Sequence, residues 1–500
     1  MKHFLIAALQ LLLCSNAFAQ NTQNGPDFTI AKGYILKEIA VTDNNEIMMM
    51  SDGDNHIFRI FDKELKSNRE YKYITPSYCR GKAFTNNVAL LISFYYDEKT
   101  REYKCNAASA ATSDFKFTSK TLLAFASKEV DTYKSMTSYG LMSSKEHVIT
   151  VTFSDDKSAF ALYVDFAPIK GIGRKELYIY DTATQNLLFE KKFTEKDAQK
   201  YAHGYESLVL NENRTAAYLT SYLLERKGLS VPQDYFYYQL EKVDTQGYNQ
   251  LALKTEDYLA VSNVKVMVKN ERVYCVGGYG ENKKRDRRES GFFFYDIDAA
   301  TLAVKNIKYN PFTSQFNIDK FGRDKAEKII GTYELRECGF ASNGDILYSV
   351  QDHSLASTSA SGIIAQERFD DIIIARISTD GKMLYSRDIT KDSPYLDGAV
   401  NGGAVPVIWN GQMHLVVTST KDEKKSDKKA KSGENTYITL FDINDNGEIK
   451  VKSVAEIKSV AEIKSEKIVY NPKFGKQPKE NEIFMFGQQK QTGTITKISF

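Results

Sequence analysis

Polar turns of Asn, Asp, Ser, Lys, Glu and Gly recur along the chain, and a short, mostly apolar run follows each one. Asp43-Asn44-Asn45 precedes residues 46–50 (Glu-Ile-Met-Met-Met), and Asn86-Asn87 precedes 88–92 (Val-Ala-Leu-Leu-Ile). Asp155-Asp156-Lys157 leads into 159–163, Asn211-Glu212-Asn213 into 216–219, and Lys269-Asn270-Glu271 into 273–276. Ser342-Asn343-Gly344 precedes 346–350, and Asn410-Gly411 precedes 413–417. A weaker eighth copy runs from Glu480-Asn481-Glu482 into 483–486. Short β-prone runs bounded by turn residues read as strands.

A second signature follows each first one after a variable stretch: an apolar strand closed by a polar turn. It occurs at 56–62, 177–181, 292–296, 372–377 and 437–442, and an outer strand such as 186–190 comes next. The order is strand A, tight turn, strand B, variable loop, strand C, tight turn, strand D. A four-stranded unit of this kind cannot bury its own faces, so copies stack in a ring. The pattern resembles the blades of β-propeller repeat proteins, and residues 154–160 (Ser-Asp-Asp-Lys-Ser-Ala-Phe) resemble the blade turn of exported, Tol-type propellers. No Trp-Asp pair ends a strand, Gly277-Gly278 is the only double glycine that follows an apolar run as in kelch repeats, and the sialidase Asp-box is missing. The resemblance therefore implies a fold and no named family.

The expectation is an all-β chain, a single closed propeller of eight four-stranded blades over residues 20–500. Seven is the alternative, because the second and third units are hard to separate. Residues 494–500 read as a strand C with no strand D after it. Phe28-Thr29-Ile30-Ala31, ahead of the first full unit, supplies the missing outer strand and closes the ring. Residues 452–457 repeat at once as 458–463, and a period of six keeps the strand alternation in register.

Composition changes this picture little. At 500 residues with 42% hydrophobic and 12% aromatic content, the chain buries a large core. A net charge of +3 and the absence of aromatics interleaved with basic runs argue against nucleic acid. Lys2 and His3, the apolar run 4–14 and the small-x-small site Ala17-Phe18-Ala19 read as a signal peptide over 1–19, with the mature chain from Gln20. The bulky Leu13 before Cys14 argues against a lipid anchor there. That address implies a periplasmic or extracellular protein, and no later run is long enough for a transmembrane helix. Cys79, Cys105, Cys275 and Cys338 are scattered, without C-x-x-C spacing, and read as strand thiols.

Candidate chemistry concentrates in the B–C loops, which are long at 166–175, 224–234, 279–290, 352–370 and 421–435. In a propeller these emerge on one face, and long loops on a rigid scaffold are where binding resides. Two are basic: Lys283, Lys284, Arg285, Arg287 and Arg288 in one, Lys424, Lys425, Lys428, Lys429 and Lys431 in the other. A charge run is ordinarily just a solvated surface. The functional reading is capture of an anionic partner, an acidic glycan or an envelope protein, by fields that add on one face.

Other constellations are weaker. Residues 442–448 imitate half of a calcium loop but carry Ser453 where the bidentate Glu belongs, so they read as a C–D turn. Asp352-His353-Ser354 reads as part of a polar loop. The five mature histidines share no ligand spacing, no G-x-S-x-G elbow occurs, and no cofactor is implied. The expectation is an exported binding or scaffolding module. The alternatives are a glycan hydrolase or lyase with carboxylates at the central channel, and a structural part of an envelope complex.

Overall fold

The computed structural model describes residues 21–66, 68–77, 79–129, 149–166, 172–195, 201–225, 236–283, 288–329, 333–357, 365–389, 404–419, 436–457, 469–470, 476–479, 482–489 and 491–499. Seven sheets of four antiparallel strands succeed one another, each a simple meander A-B-C-D. Their strands A are Ile35–Val41, Cys79–Phe84, Ile149–Phe153, Tyr201–Leu210, Tyr258–Lys269, Tyr333–Phe340 and Ala404–Trp409. An eighth sheet joins Glu482–Gln489 and Thr492–Ser499 to short inner pieces, Val469–Tyr470 and Lys476–Lys479. Strands A of neighbouring sheets touch, which puts them innermost. All eight turns read from the sequence are A–B positions, so the count is eight. The second sheet ends with Thr118–Ala126 and the third begins at Ile149, which separates the two units the sequence ran together.

Eight hydrophobic clusters fill the gaps between sheets, one per gap, including the gap between the last and the first. This explains why the strand B runs are apolar without interruption. In Glu46–Asp52, Ile47 and Met49 turn toward the second sheet, while Met48 and Met50 turn toward the eighth. Side chains alternate faces along a strand, and both faces are covered here, so apolar residues dominate both and the buried polar ones, such as Ser93, Thr220, Ser221 and Ser349, are few. The fold is a closed eight-bladed β-propeller.

Closure uses more of the N-terminus than the sequence indicated. Phe28–Thr29 does pair with the last strand, opposite Gly493 and Thr492. The longer match is Asn21–Asn24, which runs antiparallel to Ser499–Thr496. Four polar residues carry no hydrophobic signature, and the pairing is made by the backbone. Gly25 N–H also donates to the Ile495 carbonyl at 2.8 Å, and the Thr496 hydroxyl donates to Asn24 Oδ1 at 2.7 Å. Phe28 and Ile30 are buried beside Phe61 and Phe486.

Two loop boundaries also move. Strands B and C of the sixth blade, Ile346–Ser357 and Ala365–Ile377, continue through most of the stretch read as a loop. His353 pairs with Phe369 and Ser354 with Arg368 beyond a bulge, so Asp352-His353-Ser354 is strand. Residues 442–448 form the expected C–D turn: Asn444 Oδ1 accepts from Glu448 N–H at 2.9 Å, and Gly447 takes φ 78°. The first copy of the duplicated hexapeptide lies in Ile449–Ile457, and the second lies outside the described residues.

Candidate functional site

Every blade runs in the same order, so all B–C connections leave by one face and all A–B and C–D turns by the other. The B–C connections are residues 166–172, 226–235, 282–290, 358–364 and 420–435 in blades three to seven. In blades one and two they shrink to Gly53-Asp54 and 98–101. The strand ends that these longer connections join thus follow one another along one face, in five consecutive blades.

Of the basic residues expected on that face, Lys283 and Arg288 are described. Lys283 is exposed and its Nζ pairs with Glu281, whose other carboxylate oxygen takes Lys328 at 2.9 Å. Lys283 above all, then Lys328, holds the Glu281 carboxyl below the usual range. Arg288 stands at the base of the loop, next to Glu289, which exchanges two backbone hydrogen bonds with Ile329 at 2.9 and 3.0 Å. Lys284, Arg285, Arg287, Lys424, Lys425, Lys428, Lys429 and Lys431 lie outside the described residues.

A second set of charged residues escaped the sequence reading. Strand A is bulged in blades one, two, four and six, between Leu36 and Glu38, Cys79 and Gly81, Tyr205 and Ser207, and Leu335 and Glu337. Counted along strand B, the four bulges fall at the same height, opposite Met49/Met50, Ile92/Ser93, Thr220/Ser221 and Ser349/Val350. The extra residues are Lys37, Arg80, Glu206 and Arg336. A bulge re-aims a side chain at the expense of ladder pairing, and here it does so on the strand bordering the axis. The sequence signal is a charged residue five or six positions before each A–B turn, visible only once the turns are aligned.

Blade five carries a wider irregularity at Ser262–Lys265, with Asn263 at φ 51°. It is accommodated by Gly277-Gly278, since a Cβ on Gly277 would lie 2.7 Å from the Ser262 carbonyl oxygen, and one on Gly278 2.8 Å from Glu289 Cδ. The double glycine is a packing device. Val264 N–H, freed by the irregularity, donates to Glu206 Oε2 at 3.1 Å, and Asn263 Nδ2 donates to the Tyr333 carbonyl at 3.0 Å. Ser262 donates to Glu289 Oε1 at 2.5 Å.

Enclosure by protein raises three carboxyl groups here to about 7. Glu289 is fully enclosed, Glu206 is hemmed in by inner strands though solvent reaches it, and Asp388 has Lys320 at 3.6 Å. Of the three only Glu206 is on an inner strand, and the remaining inner-strand acids have local partners: Glu38 meets Lys82 at 3.4 Å, Glu337 accepts from Cys338 N–H at 3.0 Å, and Glu334 lies 3.9 Å from Arg336.

His56 and His414 stand in blades one and seven. His56 Nε2 lies 2.8 Å from Thr75 Oγ1, and burial, helped by Lys37 and Lys82, lowers its pKa to about 4. His414 Nδ1 lies 2.8 Å from Asp442. Among the described residues no group of His, Cys, Asp and Glu is arranged to hold a metal ion, and no helix is long and apolar enough to cross a membrane. Cys79, Cys105, Cys275 and Cys338 are free thiols, and burial pushes Cys105 up to about 12.

No protein-family model matches the sequence, and no curated protein matches it. Solved structures do. The WD40 domain of SCAP from fission yeast is 8% identical, with 97% of this chain and 98% of that one covered and a TM-score of 0.43. The β-propeller domain of the trilobed protease from Pyrococcus furiosus is 8% identical over 88% of this chain and 100% of that one, at 0.38. An acylaminoacyl peptidase from Pyrococcus horikoshii is 8% identical over 93% of this chain, at 0.36, and the chain spans 58% of that protein's length.

Proposed function

We propose that this propeller is an exported binding or scaffolding module whose long-loop face captures an anionic partner, most simply an acidic glycan. The observation that carries the reading is the asymmetry of the connections. Five neighbouring blades have B–C connections of 7 to 16 residues, while the A–B and C–D turns at the opposite strand ends span two to six residues. Binding surfaces are built from long loops held on a rigid frame. The basic runs at 283–288 and 424–431 lie within two of those loops and supply a field that draws in acidic partners. Export rests on the signal-peptide pattern at 1–19.

The test is a glycan-array screen of the chain from Gln20 at low and high salt, with a variant carrying Lys283→Glu, Lys284→Glu, Arg287→Glu and Arg288→Glu. Salt-sensitive binding to acidic glycans, lost in the variant while its melting temperature holds, is the expected result. Equal binding by variant and parent sinks the assignment to this loop.

A further inference from the structure

Among the described residues, the large apolar side chains left exposed include two aromatic rings, Tyr96 and Tyr258. Tyr96 lies in blade two, whose B–C turn is short. Tyr258 opens strand Tyr258–Lys269 of blade five, at the strand ends joined by the longer connections, and is 37% exposed. A lone exposed apolar residue is ordinary on a protein surface. The surroundings of this one are not.

Tyr258 is the cross-strand partner of Glu281, so the two side chains leave the sheet on the same side. Tyr279, two residues before Glu281, shares that side, and its ring stands perpendicular to that of Tyr258 with centres 5.5 Å apart. Tyr309 of strand D lies against Tyr258 at 4.9 Å and against Tyr279 at 5.2 Å. Strand C contributes Gly291 to the row of Tyr279 and Pro311, so no side chain rises there and the three rings close up. Tyr309 is fixed in turn by the Tyr295 hydroxyl at 2.7 Å.

Hydrogen bonds hold the turn as well. Thr255 N–H donates to the Tyr258 carbonyl at 2.7 Å. Asn282, the first residue of the basic connection, gives its backbone N–H to the Asp257 carbonyl at 2.7 Å and its side-chain amide to the Thr255 carbonyl at 3.0 Å. The ring is therefore set before any ligand arrives, which lowers the ordering that binding requires. Glu256, Asp257, Asn282 and Lys283 are exposed about it, and Lys283 pairs with Glu281. An apolar ring face rimmed by hydrogen-bonding groups matches a sugar, which has C–H groups on the face of its ring and hydroxyls around the edge.

We infer that Tyr258 is a stacking platform for one pyranose ring of the acidic glycan proposed above, with the acidic group of that sugar turned toward Asn282 and Lys283. The inference rests on the glycan part of that reading. It supplies what charge alone does not, a preference for a sugar over other polyanions.

Calorimetric titration with trigalacturonate, and with poly-L-glutamate as a polyanion that has no sugar ring, tests the platform. Tyr258→Ala weakens trigalacturonate binding about tenfold or more and leaves poly-L-glutamate binding unchanged. Tyr258→Phe keeps both affinities, because the ring and not the hydroxyl is used. Should the alanine variant fold poorly, Tyr258→Leu keeps apolar bulk without a flat face and shows the same selective loss. Full trigalacturonate affinity in the Ala and Leu variants overturns the platform. An equal loss for poly-L-glutamate overturns it too, since Tyr258 would then only support the loop. The variant with Lys283→Glu, Lys284→Glu, Arg287→Glu and Arg288→Glu separates the two readings. Loss of both ligands there, with no loss in Tyr258→Ala, sinks the platform alone. Retention of both there, with trigalacturonate lost in Tyr258→Ala, sinks the charged loop and keeps the platform. A parent that does not bind trigalacturonate overturns the platform outright.

Discussion

Lys175 shows how far one residue's surroundings differ from its appearance in the chain. In the run Gly173-Arg174-Lys175-Glu176 it reads as the end of a polar loop. The structure puts it in strand C of blade three, fully buried, with Nζ 3.5 Å from Glu241 Oε2 in blade four. The Tyr163 hydroxyl and Gln239 Nε2 donate to the same carboxylate, each at 3.0 Å, and the ammonium lies 5.5 Å from the centre of the Tyr248 ring. Removing one partner of such a pair leaves an uncompensated charge inside. Lys175→Met is expected to cost about 3–5 kcal/mol in urea unfolding, and adding Glu241→Leu to recover most of that loss. A double variant as unstable as the single one contradicts this account. Nothing in the local sequence separates a loop lysine from an inter-blade one, because its partner lies 66 positions away.

At the scale of elements, the turns were legible and the inner strands were not. Residues such as Asn410-Gly411 announce a hairpin by their backbone preferences, which are local. The bulges depend on which residue of strand B faces which residue of strand A, a relation between segments. Closing strand Asn21–Asn24 is hidden for the same reason, while Phe28 could be found because it carries hydrophobic information. The Arg59 guanidinium sits 4.6 Å from the centre of the Phe28 ring and donates to the Thr29 carbonyl at 2.8 Å. Phe28→Ala should cost about 3–5 kcal/mol. Deleting residues 21–31 should cost more, since it also strips the backbone pairing and exposes Thr492–Ser499 as an edge. Urea midpoints and light scattering check both, and an unchanged midpoint after the deletion would mean that the ring closes by other means.

For the whole molecule, the acids pull stability in two directions as pH changes. Glu289, Glu206 and Asp388 hold protons in the folded state that the unfolded chain has released, so their contribution is complete at low pH. It is lost as pH rises from the ordinary carboxyl range through about 7. Asp156, fixed by Ser154 and Ser158, and Asp298, fixed by Thr301, are held below that range, and their contribution is lost as pH falls. His56, kept neutral by burial down to about pH 4, works the other way between there and 6.5 and offsets one of the three acids, so stability should still peak near pH 4–5, below the usual position. For the fully enclosed Glu289 the loss between pH 5 and 8 is about 3 kcal/mol. Glu289→Gln should flatten that limb in thermal melts, and a variant that keeps the parent's slope would assign it to other groups. The ring itself was readable because it rests on eight copies of one local signal. These acids sit where blades four, five and six differ from the rest, and a repeat pattern reports only what its copies share.

The clasp also sets a timetable. The segment 21–24 takes its place only when 492–499 is at hand, so the first strand among the described residues waits for the last. A ribosome feeding the chain out from its N-terminus therefore delivers seven complete blades before a closed molecule can exist. Until then the first and last blades each present an uncovered apolar face, where Met48, Met50 and Phe61 will later meet Phe484 and Phe486. An open arc with two sticky ends is the species most exposed to joining a neighbour, and the yield of closed monomer should fall as the concentration of newly released chains rises.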